Sequence, residues 1–240
     1  MTLAEYYDTY WTDAGFNPPS NLTEDLERLL LQATGGRVLD VGCGNGETAG
    51  GFLSDHGRDY VGVDVSPSAV HTAQSRGLDV RLIEDAAALP FPDSSFDSAI
   101  CIEVLEHLWA PHHAAAEALR VLKPGGTYFA TCPNVVYWRR RADMLLFGRW
   151  HPYGDELSVE QPWRDPHIRF FTPAAMRRMV ERAGFVDVRV SGHDCELFGG
   201  VPGVRAVLGR LDNPRLTRWL ASHAPSLFAC RINVTARKRP

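Results

Sequence analysis

The sequence predicts an α/β fold in which helices cover both faces of a mostly parallel, doubly wound sheet. Segments with strand-like and helix-like patterns alternate between residues 38 and 131, which is typical of parallel strands joined by right-handed crossovers. The first strand, at 38–41, runs into a loop with glycines at positions 42, 44 and 46. The second strand, at 60–65, carries Asp64 near its end, where such folds place a carboxylate for ribose hydroxyls.

The remaining elements follow from hydrophobic spacing and from capping residues. Thr23 is predicted to cap a helix that ends near Ala33, and Thr172 to cap a later one. The aromatic stretch at 1–20 predicts a helix that either packs on the core or forms a lid over a cofactor. Further helices are predicted at about Glu47–His56, Ser66–Arg76 and around Ala114–Leu119, and further strands at Val80–Ile83, Ser98–Ile102 and Thr127–Thr131.

Composition limits the possible functions. The chain has 240 residues, of which 45% are hydrophobic and 22% charged, and this suits a soluble α/β domain. Its net charge of -4 repels nucleic acid unless a local basic patch exists. The sequence has no apolar run of membrane-spanning length and no recognisable signal peptide. The five cysteines are scattered, which predicts a reduced, cytoplasmic chain without structural zinc.

Four motifs occur in sequence between residues 37 and 133: Asp40–Gly46, Gly62–Asp64, Leu89–Asp97 and Arg120–Gly126. Together they resemble the class I S-adenosylmethionine-dependent methyltransferases, in particular the methyltransferase type 11 branch that is similar to ubiquinone-pathway enzymes. The resemblance implies a Rossmann-like sheet of seven strands whose last strand is antiparallel. The final pair of strands would then lie at 186–190 and 229–236.

The resemblance also implies which residues hold S-adenosylmethionine. Asp64 would accept both ribose hydroxyls, because a carboxylate accepts two hydrogen bonds without offering a competing donor. A nicotinamide-dependent dehydrogenase is disfavoured, because its Gly-x-Gly-x-x-Gly fingerprint spaces the glycines differently. The implied contacts are Asp40, Gly42, Gly44, Asn45 and Gly46 at the methionine end, Asp64 and Val65 at the ribose, Asp85 and Ala86 at the adenine, and Ile102 and Glu103 along the methionyl side.

Two segments are candidates for the acceptor side of the site. If the chain after the fourth strand is helical, Glu103, Glu106 and His107 share one face, and His167 precedes the helix that Thr172 caps. The Glu-x-x-Glu-His pattern resembles the ubiquinone-pathway O-methyltransferases and the small-RNA 2′-O-methyltransferases. In both branches these residues can bind a divalent cation, and the RNA branch adds a later histidine.

Three interpretations of these side chains stay open. In the first, Glu103, Glu106, His107 and His167 hold a divalent cation, with Mg²⁺ as the candidate, which lowers the pKa of a coordinated hydroxyl. In the second, His107 is a metal-free base and His167 assists the reaction. In the third, these residues are a hydrogen-bonded helix start with solvated glutamates.

We expect a single methyltransferase domain over residues 1–240. In the expected substrate cap, residues 134–170, aromatic side chains suit the binding of a ring or sugar, and arginine side chains suit a carboxylate or phosphate. The role of an insertion at 191–227 is left open. The expected parts are an N-terminal helical lid (1–34), the cofactor-binding core (35–133), a substrate cap (134–170) and the C-terminal part of the sheet (171–240).

The predicted function is O-methylation of a small-molecule hydroxyl, such as a phenol, a quinol or a sugar of a natural product or glycan precursor. RNA 2′-O-methylation is an alternative that the acidic balance disfavours. A non-catalytic, cofactor-binding regulatory protein is a second alternative, disfavoured by intact Asp40, Asp64, Asp85 and His107. We expect a cytoplasmic monomer or homodimer with a small-molecule substrate, no nucleic-acid partner and no membrane span.

Overall fold

A computed structural model describes residues 3–12, 22–148, 166–193 and 213–240. These residues contain a seven-stranded sheet with the order β3-β2-β1-β4-β5-β7-β6. β7 is antiparallel to both of its neighbours, and all other neighbours are parallel. The predicted mostly parallel sheet with an antiparallel last strand is therefore confirmed. The strands are β1 (Arg37–Val41), β2 (Asp59–Asp64), β3 (Val80–Leu82), β4 (Phe96–Ile102), β5 (Leu122–Pro133), β6 (Val186–His193) and β7 (Arg231–Arg237).

Several of the described helices begin at a residue whose side chain caps the helix. Thr23, Ser66 and Thr172 each accept a hydrogen bond from the backbone N–H three residues further on, which confirms the two predicted threonine caps. None of the described helices combines the length and the hydrophobicity that crossing a bilayer requires. Within the described residues the helices are α1 (Leu3–Thr12), α2 (Glu24–Ala33), α3 (Gly50–Asp55), α4 (Pro67–Ser75), α5 (Pro111–Val121), α6 (Trp138–Phe147), α7 (Pro173–Arg182), α8 (Pro214–His223) and α9 (Pro225–Phe228), with a 3₁₀ turn at Leu105–His107.

The sheet buries apolar side chains on both faces, as a doubly wound fold requires. On one face Phe96 and Tyr128 pack in a core that includes Met176 of α7. On the other face the core includes Leu30 of α2 and Leu53 of α3. Because β1 to β5 are parallel, their carboxyl ends all lie at one edge of the sheet, and this edge positions the site.

Two predicted features of the fold are wrong. The helix predicted from Glu47 begins only at Gly50, because the glycine loop continues in turns in which the N–H of Glu47 donates to the Asn45 side chain. The cysteines are not all thiols: Cys230 is bonded in a disulfide, whereas Cys43, Cys101 and Cys132 are free and buried. The expectation of a fully reduced chain is therefore corrected at Cys230.

The side chain of Arg120 makes several of the contacts that join the proline-containing loop at 89–97 to α5. The guanidinium of Arg120 donates to the carbonyl oxygens of Leu89 (3.0 Å) and Phe91 (2.8 Å) and to the carboxylate of Asp93 (2.6 Å). Glu117 accepts two further bonds at 2.8 Å and fixes the same side chain. One side chain thus fastens the loop before β4 to α5.

We expect Arg120→Ala to lower the free energy of unfolding by about 1–3 kcal/mol, because buried carbonyl groups lose charge-assisted partners. Urea unfolding followed by circular dichroism measures this. Arg28→Ala is the matched control: Arg28 makes one exposed ion pair with Asp25, and its loss is expected to cost less than about 1 kcal/mol. Equal effects of the two substitutions would contradict the proposed fastening role.

Several predicted cap residues lie outside the described part of the chain. This applies to Arg149, Trp150, Tyr153, Trp163 and Arg164, and to most of the insertion at 191–227. The described part of the cap consists of α6 and the segment 166–170, which leads into α7. The insertion contributes the end of β6 and the helices α8 and α9.

Candidate active site

The glycine loop after β1 requires glycine at all three positions. Gly42, Gly44 and Gly46 have φ values of 75°, 55° and 78°, in the left-handed region that side chains disfavour. A Cβ at any of them would lie within 2.5 Å of a neighbouring side chain, from Val104, Trp11 or Leu78. The loop is therefore a tightly covered backbone surface at the carboxyl end of β1.

Asp64 at the end of β2 is tied to this loop. Its Oδ2 accepts from the N–H of Gly44 at 2.8 Å, and its Oδ1 accepts from the N–H of Ser66 at 2.9 Å. Burial raises the pKa of Asp64, and the backbone hydrogen bonds oppose that effect. Each carboxylate oxygen keeps a second lone pair, so the oriented group is able to accept two hydroxyl donors.

Asp40 in β1 lies deeper than Asp64. It is almost fully buried and accepts a 2.8 Å hydrogen bond from the hydroxyl of Tyr60. Burial is the main cause that raises the pKa of Asp40 to about 7, while the Tyr60 bond lowers it. The acid that was predicted to face the methionine end is thus held by a tyrosine of the neighbouring strand.

The other predicted cofactor residues also lie at the carboxyl edge of the sheet. Asp85 is exposed after β3, and its Oδ1 accepts from the N–H of Ala87 at 2.9 Å. Ala86 is buried beside it, and buried Ile102 ends β4. Asn45 and Val65 follow β1 and β2 and are partly exposed.

Helix α1 packs over this edge. Its Asp8 accepts hydrogen bonds from the N–H of Ser68 (2.9 Å) and from the hydroxyl of Ser66 (3.2 Å), at the start of α4. Its Trp11 covers Gly44. Of the two sequence interpretations, packing and lid, the structure shows packing against the predicted cofactor loop, and the lid remains a prediction.

Glu103 does not share a face with Glu106 and His107. It leaves β4 with φ of 55°, and the 3₁₀ turn that follows begins only at Leu105. Its carboxylate accepts from the hydroxyl of Thr131 at 2.8 Å and lies 3.6 Å from Nε of Arg231. The condition of a helical segment is therefore met only from Leu105 onward, as a 3₁₀ turn, and Glu103 turns toward β5 and β7.

The structure brings Glu106, His107 and His167 together. One possible ligand atom of each lies within 4.8 Å of the others. The two imidazole rings are 4.5 Å apart between centroids, and the ring of Tyr7 from α1 lies edge-on to His107 at 5.9 Å. Both acceptor-side segments predicted from the sequence thus meet at the end of β4.

Backbone hydrogen bonds create this meeting. The N–H groups of Ile168 and Arg169 both donate to the carbonyl oxygen of Glu106 at 2.9 Å. Nδ1 of His107 lies 3.3 Å from the carbonyl oxygen of Pro166. The segment that carries His167 is thereby fastened to the 3₁₀ turn.

Glu106 is a buried carboxyl group with unusual surroundings. Among the residues that the structure describes, neither of its oxygens has a hydrogen-bond partner, and Nε2 of His107 is 3.9 Å from Oε1. Burial, followed by repulsion from Glu103, raises the pKa of Glu106 well above its usual range. A buried carboxyl group in this state is either protonated or balanced by a cation.

Three contributors were not identified from the sequence. Thr131 and Arg231 engage Glu103, and Tyr7 contacts His107. The aromatic character of the N-terminal stretch was visible in the sequence, but Arg231 reaches the site only because β7 pairs antiparallel with β5, opposite Pro133. No local pattern reports that pairing.

Comparison with known proteins finds relatives of one family. The methyltransferase domain family matches residues 39–130. The chain is 35% identical over 152 residues to an O-methyltransferase of Aspergillus nomiae, covering 58% of this chain and 67% of that protein. It is 35% identical over 127 residues to 27-O-demethylrifamycin SV methyltransferase of Amycolatopsis mediterranei, covering 49% and 47%.

The fold also resembles a solved structure, that of phosphoethanolamine N-methyltransferase 2 of Haemonchus contortus with phosphomonomethylethanolamine and S-adenosylhomocysteine. The TM-score is 0.67 at 18% identity, covering all of this chain and 61% of that one. At this identity the likeness concerns the fold alone. The chain spans 55%, 47% and 63% of the lengths of three curated relatives that it matches.

The sheet order, the glycine loop and the acid after β2 define a nucleotide-type cofactor site at the edge of a Rossmann-like sheet. Within that class, the chain belongs to the S-adenosylmethionine-dependent methyltransferases. The described residues fit the cofactor, because the covered backbone of the glycine loop and the oriented carboxylate of Asp64 lie side by side. Which residue contacts which part of the cofactor remains a prediction.

Proposed function

We propose that this protein methylates a hydroxyl group of a small molecule, with the Glu106, His107 and His167 cluster on the acceptor side. The observation that carries the proposal is the position of this cluster. Glu106 and His107 follow β4, the strand beside β1, and the segment of His167 is fastened to them at the same edge as the glycine loop. The names of the two matched O-methyltransferases support an oxygen acceptor. The net charge of -4 disfavours RNA as the methyl acceptor.

The proposed chemistry needs positioning and the removal of one proton. S-adenosylmethionine supplies an electrophilic methyl group when it is bound. The acceptor must lie in line with it, away from water. A neutral phenol or alcohol must lose a proton, and His107 is the candidate base: donation from Nδ1–H to the Pro166 carbonyl would leave Nε2 unprotonated.

The same cluster fits a divalent cation. A buried carboxyl group without a hydrogen-bond partner among the described residues, next to two imidazoles, is a plausible set of three ligands. Two imidazoles favour a cation such as Zn²⁺, Fe²⁺ or Ni²⁺ over Mg²⁺, which prefers oxygen ligands. Glu106, His107 and His167 would hold this cation, which would lower the pKa of the acceptor hydroxyl; Glu103 is engaged elsewhere.

The function is tested by incubating the purified protein with S-adenosylmethionine and a panel of phenols, quinols, sugars and RNA ends. Formation of S-adenosylhomocysteine with a methylated small molecule is the expected result. Methylation of RNA alone would replace the proposal with the nucleic-acid alternative. Cofactor binding without any product across a broad panel would favour the non-catalytic alternative.

We expect purified protein to contain about one equivalent of a divalent cation, and chelation to reduce turnover while leaving S-adenosylhomocysteine affinity unchanged. Elemental analysis and calorimetry measure the two quantities separately. Glu106→Gln should lose the cation, and Glu103→Gln should retain it as the matched control, because Glu103 faces Thr131 and Arg231. Full activity of metal-free protein would exclude a catalytic cation and would favour His107 as a metal-free base.

A further inference from the structure

Helix α6 ends in four consecutive large apolar residues that face solvent. Met144, Leu145, Leu146 and Phe147 retain 56%, 84%, 69% and 65% of their accessible surface. No described residue of this helix is buried. Single exposed apolar side chains are ordinary, whereas a contiguous group of this size marks an interaction surface.

The distribution of these residues around the helix indicates what kind of partner covers them. Successive helical residues are rotated by about 100°, so four in a row point to every side of the helix end. A groove on a protein covers one side of a helix and contacts apolar residues spaced i, i+3, i+4 and i+7. Hydrophobic burial is not directional, so the acyl chains of a bilayer contact every side of a helix end that enters them.

The first turn of α6 supplies charge that suits such a boundary. It contains the arginines at 139–141, and Asp143 is the one acid in the helix. Arg141 donates to the carbonyl oxygens of Val136 and Ser226, which are neutral, so these bonds do not cancel its charge. Arginines near a membrane surface attract anionic lipid headgroups.

The spacing of the two groups matches the dimensions of a lipid interface. With a rise of about 1.5 Å per residue, Arg139 and Leu145 are separated by roughly 9 Å along the helix axis. The boundary layer in which interfacial helices bury apolar residues is about 5–10 Å deep, so α6 would enter it with its C-terminal end first. The arginines would therefore lie at the level of the phosphates when the apolar turn reaches the acyl chains.

A second exposed aromatic group lies at the same edge of the sheet. α6 follows β5, and Trp109 follows β4, and these strands are parallel neighbours. Trp109 is 72% exposed, and the guanidinium of Arg169 stacks 5.3 Å from its ring centroid. Tryptophan and arginine are typical of membrane interfaces.

We propose that α6 binds the surface of an anionic lipid bilayer, with Met144–Phe147 inserted at the acyl-chain boundary and Arg139–Arg141 at the phosphates. This binding is peripheral and does not depend on the reaction. Membrane binding would also bring a lipid-soluble hydroxyl acceptor close to the active site, and this consequence alone rests on the proposed function.

The test is co-sedimentation of the full chain with vesicles, without any measurement of turnover. We expect binding to phosphatidylcholine vesicles that contain phosphatidylglycerol, weakened by salt, and little binding to phosphatidylcholine alone. Leu145→Glu/Leu146→Glu should lower the partition coefficient at least tenfold, and Arg139→Gln/Arg140→Gln roughly tenfold. Leu216→Glu/Trp219→Glu, which places the same charges on exposed apolar positions of α8, should bind as the unsubstituted chain does.

Three results would overturn the proposal. The first is absence of binding to anionic vesicles by the unsubstituted, folded chain. The second is an equal loss in the α8 control, which would show that added negative charge alone prevents binding. The third is a dimer in solution that Leu145→Glu/Leu146→Glu converts to monomer, without vesicle binding, which would make α6 a contact between copies. Because turnover is not the readout, failure of the proposed methyl transfer would leave these outcomes unchanged.

Discussion

His107→Ala is expected to reduce kcat by about 10²–10⁴-fold, since a positioned proton acceptor contributes this much to a reaction. The imidazole lies in the cluster with Glu106 and His167, with Nδ1 beside the Pro166 carbonyl. It also contacts α1, through the ring of Tyr7. The loss should appear in kcat rather than in cofactor affinity, because His107 is not among the predicted cofactor contacts, which lie at the carboxyl ends of β1 to β4.

The measurement is steady-state turnover with the acceptor that the panel identifies, together with calorimetric affinity for S-adenosylhomocysteine. His113→Ala is the matched control, because His113 is an exposed histidine in the first turn of α5. A drop in kcat smaller than about threefold for His107→Ala would exclude both its roles, as base and as cation ligand. A drop that affects cofactor affinity equally would assign it a structural role.

The cofactor side could be predicted from the sequence because its signals are local. A strand, a glycine loop and an acid at the next strand end are read within thirty residues, and Gly42, Gly44, Gly46 and Asp64 occupy the places that this pattern implies. Short-range backbone hydrogen bonds and steric limits determine such a segment. The antiparallel last strand followed from the family resemblance, and it is confirmed.

The acceptor side could be predicted only in part, because its geometry depends on contacts that are distant in sequence. The left-handed conformation of Glu103 is rare for a residue other than glycine, and a helical pattern at 103–107 gives no indication of it. Once the chain turns there, Glu103 meets Thr131 and Arg231 instead of the histidines. The meeting of His107 with His167 depends on the hydrogen bonds of Glu106 across some sixty residues, and these are tertiary contacts.

Asp64→Ala is expected to weaken binding of S-adenosylmethionine roughly 100-fold, because two hydrogen bonds from hydroxyls to a charged acceptor are lost. The structure makes this acid a suitable acceptor: the N–H groups of Gly44 and Ser66 each hold one of its oxygens. The substitution also removes the acceptor of the Gly44 N–H, which disturbs the glycine loop and weakens cofactor binding further. Isothermal calorimetry with S-adenosylhomocysteine measures the affinity, and thermal unfolding checks that the variant is folded.

The chain offers a matched control at the opposite end of the same strand. Asp59 begins β2, is exposed and makes a 3.5 Å contact with Arg37, far from the carboxyl edge. Asp59→Ala should leave the affinity unchanged, whereas Asp64→Asn should give an intermediate loss, because the amide keeps one acceptor oxygen and adds a donor. An affinity of folded Asp64→Ala within about threefold of the unsubstituted chain would refute the ribose role. The cofactor would then be held by the glycine loop and Asp40, and Asp64 would serve only to fix the loop.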